Sequence, residues 1–133
     1  MLKSFFAAAL ALALAILAAA PAAAQLMGFA VAFTWEDTGS CFDPKSPPFT
    51  LSNVPHGTAM LSFQMQDMDA PSYPHGGGMV AYRGQNQLLR GAFSYKGPCP
   101  PSGQHSYQWT VKAVDGNGKT LAVAQAMKRF PPK

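Results

Sequence analysis

Clusters of proline and glycine divide this chain into short segments, and they constrain its fold more than any other feature. The sequence of 133 residues contains 12 prolines and 12 glycines. They concentrate in the stretches DPKSPPF, NVPHGT, APSYPHGGG and GPCPPSG. Proline lacks the backbone donor that a helix interior needs, and glycine favours turns. No helix of ordinary length is therefore expected between these clusters, and the intervening segments are predicted to be short strands.

Apolar and polar residues alternate in several of these segments, as they do in half-buried strands. The clearest case is HSYQWTVKAV (105–114), in which Tyr107, Trp109 and Val111 share one face. Other strands are predicted at 28–35, 59–67, 79–84 and 91–95, with a closing strand at 120–130 after a hairpin turn at 115–118. Many short strands joined by Pro- and Gly-rich turns predict an all-β, antiparallel sandwich or barrel.

The first 24 residues have the layout of a secretory signal peptide. Lys3 precedes an apolar, alanine-rich run that Pro21 interrupts, and small residues follow. Cleavage is predicted after Ala24, which leaves residues 25–133 as a single domain beginning at Gln25. The apolar run is shorter than the roughly 20 residues that span a bilayer, and no later segment is longer. We therefore expect an exported protein, periplasmic or secreted, with no transmembrane segment after cleavage.

The charge of the chain is weakly positive and dispersed. The formal net charge is +4, and removal of Lys3 leaves about +3. Only the final KRFPPK clusters its cations, and the chain lacks the basic stripe with interleaved aromatic residues that is typical of nucleic-acid binding. We expect no nucleic-acid partner, no cofactor, and at most a mild preference for anions or anionic surfaces.

The chain has two cysteines, Cys41 and Cys99. In an exported protein an even cysteine count most simply indicates one disulfide bond. A bridge between positions this far apart would contribute on the order of 4 kcal/mol in the chain-entropy description. A site with two metal-bound thiolates is disfavoured, because neither cysteine has a ligand at close spacing. The disulfide is therefore predicted.

The stretch DMDAPSYPHGGG (67–78) combines chemically active residues with turn-forming ones. Asp67 and Asp69 are one residue apart, so they point to the same side of an extended segment. They could equally cap the turn through side-chain bonds to the backbone. Pro71 stiffens the loop, and His75 precedes three glycines that either permit close backbone approach or form a mobile turn.

A second stiff loop, GPCPPSG, leads directly into His105 and Tyr107 on one face of the following strand. Taken alone, His105 is better explained by a packing role, with its ring bonded to a nearby carbonyl. Combined with an aspartate and a tyrosine on rigid loops, it indicates a pocket: a neighbouring acid favours the imidazolium form, which suits a phosphate or carboxylate ligand.

These two stretches carry a family resemblance. DMDAPS with the downstream His75, and GPCPPSGQHSY (97–107), resemble the paired signature of the phosphatidylethanolamine-binding proteins, also called Raf-kinase-inhibitor-like proteins. That signature reads approximately D-P-D-A-P-S and G-P-x-P-P-x-G-x-H-R-Y. SPPFTLSNVPHGTAMLSF (46–63) is similar to the family's S-P-P-L-x-W-x-x-V-P-x-G-T stretch, and TLAVAQAMKRF to its last strand. The resemblance covers nearly all of residues 25–133 and suggests a shortened, exported bacterial member.

The resemblance implies an antiparallel Greek-key β-sandwich with a pocket for small anions, such as phosphate or the phosphate group of a phospholipid headgroup. The family's site residues fall here on Asp67, Asp69, Pro71, His75, His105 and Tyr107. Two positions depart from the motifs: Met68 replaces a proline, and Ser106 stands where the family usually has arginine.

The sequence leaves three possible functions open. The leading interpretation is a non-enzymatic anion-binding protein, since no G-x-S-x-G motif or Ser-His-Asp spacing indicates a hydrolase. A module that binds or inhibits an exported protein partner is the second. The third is periplasmic copper binding, because Met60, Met65, Met68 and Met79 lie near His56 and His75 in the sequence.

Overall fold

The computed structural model describes residues 28–39 and 41–133, and in this part of the chain all regular structure is β-strand. The seven strands are β1 (Ala30–Phe33), β2 (Phe49–Ser52), β3 (Thr58–Asp67), β4 (Pro74–Ala81), β5 (Gln87–Leu88), β6 (His105–Asp115) and β7 (Thr120–Phe130). The all-β prediction is confirmed. The predicted signal peptide and its cleavage site lie outside the described residues, and no helix within them is long and apolar enough to cross a membrane.

The strands form two antiparallel sheets. A three-stranded sheet has the order β1-β2-β5, and a four-stranded sheet has the order β4-β3-β6-β7. Strand β3 pairs on one side with β4, its neighbour in sequence, and on the other with β6. Between β4 and β6 the chain crosses to the other sheet to form β5, and it then returns to place β6 beside β3.

The core lies between the two sheets and is rich in aromatic residues. The ring of Phe49 on β2 packs on Phe63 of β3 and Trp109 of β6, with centroid distances of 4.8 and 5.3 Å. The predicted alternation of β6 is confirmed, because Tyr107, Trp109 and Val111 are fully buried. Burial of such side chains is the main stabilising contribution to a domain of this size.

Strand β4 differs from its predicted form, because it begins at Pro74 rather than at residue 79 and includes all three glycines. A Cβ atom on Gly77 would lie only 1.7 Å from the carbonyl oxygen of Phe63, and one on Gly78 only 2.6 Å from Cβ of Phe93. The glycines therefore permit close approach of β4 to its neighbours, and they do not form a turn.

The predicted strand at 91–95 is wrong. Phe93 and Tyr95 are buried as the alternation indicated, but the segment makes only an isolated bridge between Ser94 and Lys45. The facing segment contains Pro44, which has no backbone N–H, so a regular ladder cannot continue there. Strands β2 and β5 were not predicted, because four and two residues are too short to show a period.

Two further predictions are confirmed, namely the hairpin turn at 115–118 and the disulfide bond. Strands β6 and β7 form a hairpin whose turn is closed by the Asp115 carboxylate, which accepts the N–H groups of Asn117 and Lys119 at 2.9 and 2.8 Å. Gly118 takes the left-handed conformation there, with φ of 82°. The cysteines Cys41 and Cys99 form a disulfide bond, which ties the loop after β1 to the loop before β6.

Candidate functional site

The strand arrangement brings the two predicted loops together at one end of the four-stranded sheet. Because β4 and β6 both run antiparallel to β3, their first residues lie beside the last residues of β3. Asp67 ends β3 and pairs in register with Tyr107 on β6, while His75 lies at the start of β4 and His105 at the start of β6. The sheet thereby assembles residues that are up to 40 positions apart in sequence.

Asp67 and His105 form a partly buried pair. Nδ1 of His105 lies 2.7 Å from Oδ2 of Asp67, and Oδ1 accepts the backbone N–H groups of Asp69 and Ala70 at 2.9 and 3.1 Å. Burial by itself raises the pKa of Asp67, but these hydrogen bonds and the adjacent imidazole outweigh it and hold the pKa below its usual value. Asp67 is therefore an ionised carboxylate that orients the ring of His105.

His75 is held in a comparable way by the backbone. Its ring is 4% exposed, and Nδ1 lies 2.6 Å from the carbonyl oxygen of Lys96. A carbonyl oxygen only accepts, so Nδ1 of His75 must carry the proton. The same argument applies to His105 against the Asp67 carboxylate. In the described part of the chain neither ring's Nε2 has a protein hydrogen-bond partner, so both are available to a ligand.

Tyr107 lies beneath the two histidines and does not line the cavity they share. Its ring is fully buried, with centroids 5.5 Å from His75 and 6.3 Å from His105. Its hydroxyl makes no hydrogen bond to any described residue. Burial, followed by the negative charge of Asp67, raises the pKa of this hydroxyl. Tyr107 thus acts as the floor on which both imidazoles pack.

A cavity of about 300 Å³ opens beside these rings. Its polar lining comes from Asp67, His75 and His105, and the remainder is apolar or aromatic: Phe42, Ala70, Tyr73, Cys99 and Pro101. A volume of this size is at the lower end for small-molecule sites. The arrangement of a few directed nitrogen atoms on an apolar wall is suited to a small ligand with one charged group.

The mouth of the cavity is formed by two stacked aromatic rings. Phe42 and Tyr73 have centroids 6.0 Å apart and are nearly parallel, and their side chains are 42% and 36% exposed. Nζ of Lys96 lies 4.7 Å from both centroids, at cation–π distance. The loop that carries Phe42 is fixed by the adjacent disulfide and by the salt bridge from Arg90 to Asp43, at 2.5 Å.

Besides Tyr107, two other predicted site residues lie outside the cavity. The Asp69 carboxylate is exposed and accepts the backbone N–H of Ser106 at 2.6 Å, which joins the two predicted loops. Pro71 lines a neighbouring depression of about 370 Å³ on the other side of Tyr73 and His75. Asp67 thus caps the turn, which is one of the roles that the sequence left open for the aspartates. Asp69 forms a hydrogen bond between the two loops.

Phe42, Tyr73 and Lys96 are site residues that sequence reasoning missed. The one signal available for Phe42 was its position directly after Cys41. The predicted disulfide bond would bring it close to the second loop, which contains Cys99. Tyr73 is part of the quoted APSYPH loop, but nothing in its spacing indicated a pairing with Phe42.

The methionines near His56 and His75 in the sequence differ widely in exposure. Met65 is buried in the core, whereas Met68 and Met79 are 44% and 58% exposed. The described residues do contain one group of possible metal ligands within 4.8 Å of one another, namely Asp67, Asp69 and His105. These three already bond to each other or to backbone amides, so they are better described as a hydrogen-bonded network.

A larger and more open depression, of about 590 Å³, lies between the segment after β1 and the end of β7. Its lining includes Glu36, Asp37, Lys128 and Arg129, and none of the predicted site residues.

The sandwich has the fold of the phosphatidylethanolamine-binding proteins. The structure is similar to a homologue of that protein from Chlamydia trachomatis, with a TM-score of 0.61 and 19% identity over 80% of this chain and 99% of that one. It is also similar to YbcL of Escherichia coli, described as a new member of the mammalian family, with a TM-score of 0.60 and 21% identity over 80% of this chain and 100% of that one. At these identities the likeness is one of fold, and it confirms the fold that the sequence resemblance implied.

No family model matches the chain, and a comparison with curated proteins finds no match.

Proposed function

We propose that this protein is an exported, non-enzymatic member of the phosphatidylethanolamine-binding protein family, and that its cavity binds a small anion such as phosphate or the phosphate of a lipid headgroup. One observation carries the proposal. His75 and His105 both line the cavity, and each has its Nδ1 committed to a protein acceptor. Each ring is thereby fixed in orientation with Nε2 free.

The chemistry of the two rings supports an anionic ligand. A protonated imidazole donates from both nitrogens, so a ring already bonded through Nδ1 retains one strong donor at Nε2. The Asp67 carboxylate holds Nδ1 of His105 at 2.7 Å and so fixes the direction in which Nε2 points. Two such donors on an apolar wall match the separated oxygens of a phosphate group. The names of the similar structures, which refer to phosphatidylethanolamine binding, agree with this ligand class.

Export and the absence of catalysis are part of the same proposal. The disulfide between Cys41 and Cys99 supports an oxidising compartment such as the periplasm. His105 and Asp67 are bonded to each other, but no described serine, threonine or cysteine in the cavity lining is a free nucleophile beside them. Binding without turnover is the simplest use of such a site.

The test is a titration of the exported chain, residues 25–133, followed by the NMR signals of its three imidazoles. Inorganic phosphate, phosphoethanolamine and copper(I) are added in separate series at pH 6. We expect the signals of His75 and His105 to shift together with both phosphates, and that of the exposed His56 to stay in place. A response of His75 and the methionine methyl groups to copper(I) alone would replace anion binding with metal binding.

Variants make the assignment specific. His75→Asn and His105→Asn each keep an N–H donor near the position of Nδ1 and remove Nε2. We expect each to weaken phosphate binding by at least about tenfold, since a charge-assisted hydrogen bond is lost. His56→Asn is the matched control and is expected to leave the affinity within about twofold of the original. Equal affinities in all four proteins would contradict the proposed site.

A further inference from the structure

We propose that Lys96 is the residue that makes this cavity selective for anions, by holding a positive charge at its mouth. The inference rests on the proposed function. It extends that function to a residue that is not among the site residues predicted on the two loops. Lys96 lies just before the GPCPPSG loop, and its side chain is exposed.

The backbone of Lys96 is fixed relative to His75. Its N–H donates to the carbonyl oxygen of His75 at 2.9 Å, and its own carbonyl oxygen accepts from Nδ1 of the same residue at 2.6 Å. Two hydrogen bonds to one residue set both the position and the direction of the Lys96 main chain. The side chain of Lys96 therefore starts from a backbone position that is fixed relative to His75.

The side chain of Lys96 is in turn held over the cavity mouth. Its ammonium lies 4.7 Å from the ring centroids of both Phe42 and Tyr73, and both rings line the cavity. An exposed cation–π contact contributes about 0.5–1 kcal/mol. Two such contacts reduce the conformational freedom that a surface lysine otherwise has. The charge is thus positioned before a ligand arrives.

Electrostatics shows why an anion needs this charge. Asp67 and Asp69 bring two carboxylates to within 4.8 Å of the His105 ring nitrogen. When His105 is protonated it offsets one of them, and the second still repels an approaching anion. Ser106, which follows His105, has no charged side chain, and its backbone N–H binds Asp69. Lys96 supplies a cation beside the Phe42 and Tyr73 rings, which line the cavity.

The test compares phosphate binding by the original protein with Lys96→Met, Lys96→Arg and the control Lys112→Met. Methionine still packs on the two rings but has no charge. Lys112 is an exposed lysine on β6 at the outer face of the sheet, so its removal changes net charge equally. We expect Lys96→Met to weaken binding of inorganic phosphate at low salt by at least about tenfold. Lys96→Arg and Lys112→Met are expected to stay within about threefold.

Salt dependence separates a charge effect from a structural one. Affinity of the original protein should fall as sodium chloride is raised, and that of Lys96→Met should change much less. The imidazole signals of His75 and His105 in the free variants should coincide with those of the original. If Lys96→Met binds phosphate as tightly as Lys112→Met, the inference is wrong while anion binding stands. If no variant, nor the original, binds phosphate or phosphoethanolamine, the proposed function fails and this inference with it.

Discussion

Asp67 is a buried carboxylate whose two oxygens are both used, one for the ring of His105 and one for the amides of Asp69 and Ala70. It therefore orients the cavity-lining ring of His105 and also closes the loop after β3. The pKa of Asp67 is lowered in the folded protein, so this carboxylate stabilises the fold at pH values above its unfolded pKa of about 3.9. That contribution is lost as the pH falls through the lower, folded pKa.

Asp67→Asn is expected to lower the free energy of unfolding at pH 7 by about 1–3 kcal/mol, because one partner of a buried charged hydrogen bond is lost. The deficit should shrink as the pH falls below about 4, because the original protein then also loses the charge. Urea denaturation at pH 7 and pH 3 measures both. Asp37→Asn, at an exposed position in the turn after β1, is the control. A deficit of equal size at both pH values would show that the charge of Asp67 is not what stabilises the fold.

At the scale of residues, sequence reasoning predicted part of the site. His75, His105 and Asp67 were recognised because stiff loops and alternation place polar groups at strand ends. Lys96 was missed because its role depends on cation–π contacts with Phe42 and Tyr73, which are distant in sequence. Tyr107 was placed on the correct strand face, but only packing reveals that it lies below the cavity.

Of the seven strands, β4 depends most directly on its glycines. The strand can approach β3 because Gly77 leaves room for the Phe63 carbonyl, and Phe93 covers Gly78. His75 is carried by the same strand, so its position depends on this close pairing. Alternation could not predict β4, because three consecutive glycines have no apolar or polar face. The long strands β3 and β6 were predicted because they bury every second residue.

Gly77→Ala is expected to destabilise the protein by more than about 3 kcal/mol, since the added methyl group meets backbone that cannot move without breaking the ladder. Gly78→Ala should cost about 1–3 kcal/mol, because the clash is with the side chain of Phe93, which can shift. Gly116→Ala, where nothing lies within 4 Å, is the matched control. Urea midpoints give the ranking, and equal midpoints for Gly77→Ala and Gly116→Ala would contradict it.

For the whole molecule, the disulfide joins the loop after β1 to the loop that opens into β6. The bonded cysteines are 58 positions apart, and Cys99 also lines the cavity. The bond was predictable from the cysteine count alone. Its position beside Phe42 was not, because the order of the loops around the cavity depends on how the chain crosses between the sheets.

Replacing both cysteines with alanine is expected to reduce the free energy of unfolding by about 2–5 kcal/mol, since the unfolded chain gains freedom. Because Phe42 follows Cys41, the paired variant should also lose the Phe42–Tyr73 stack and bind phosphate more weakly. Thermal unfolding with and without a thiol reductant measures the first effect, and reductant should have no effect on the variant. Unchanged stability in the variant would mean that the two loops hold each other without the bond.

The pairing of β6 with both β3 and β7 has a consequence for how the molecule assembles over time. The β6–β7 hairpin closes through a short turn and can form quickly, whereas β3 and β6 meet only after β4, β5 and their loops have been enclosed. Asp67, His75 and His105 come from three strands that adjoin only after that slow closure. Refolding chains should therefore regain strand structure before they regain the capacity to bind a ligand, so binding reports completion of the fold.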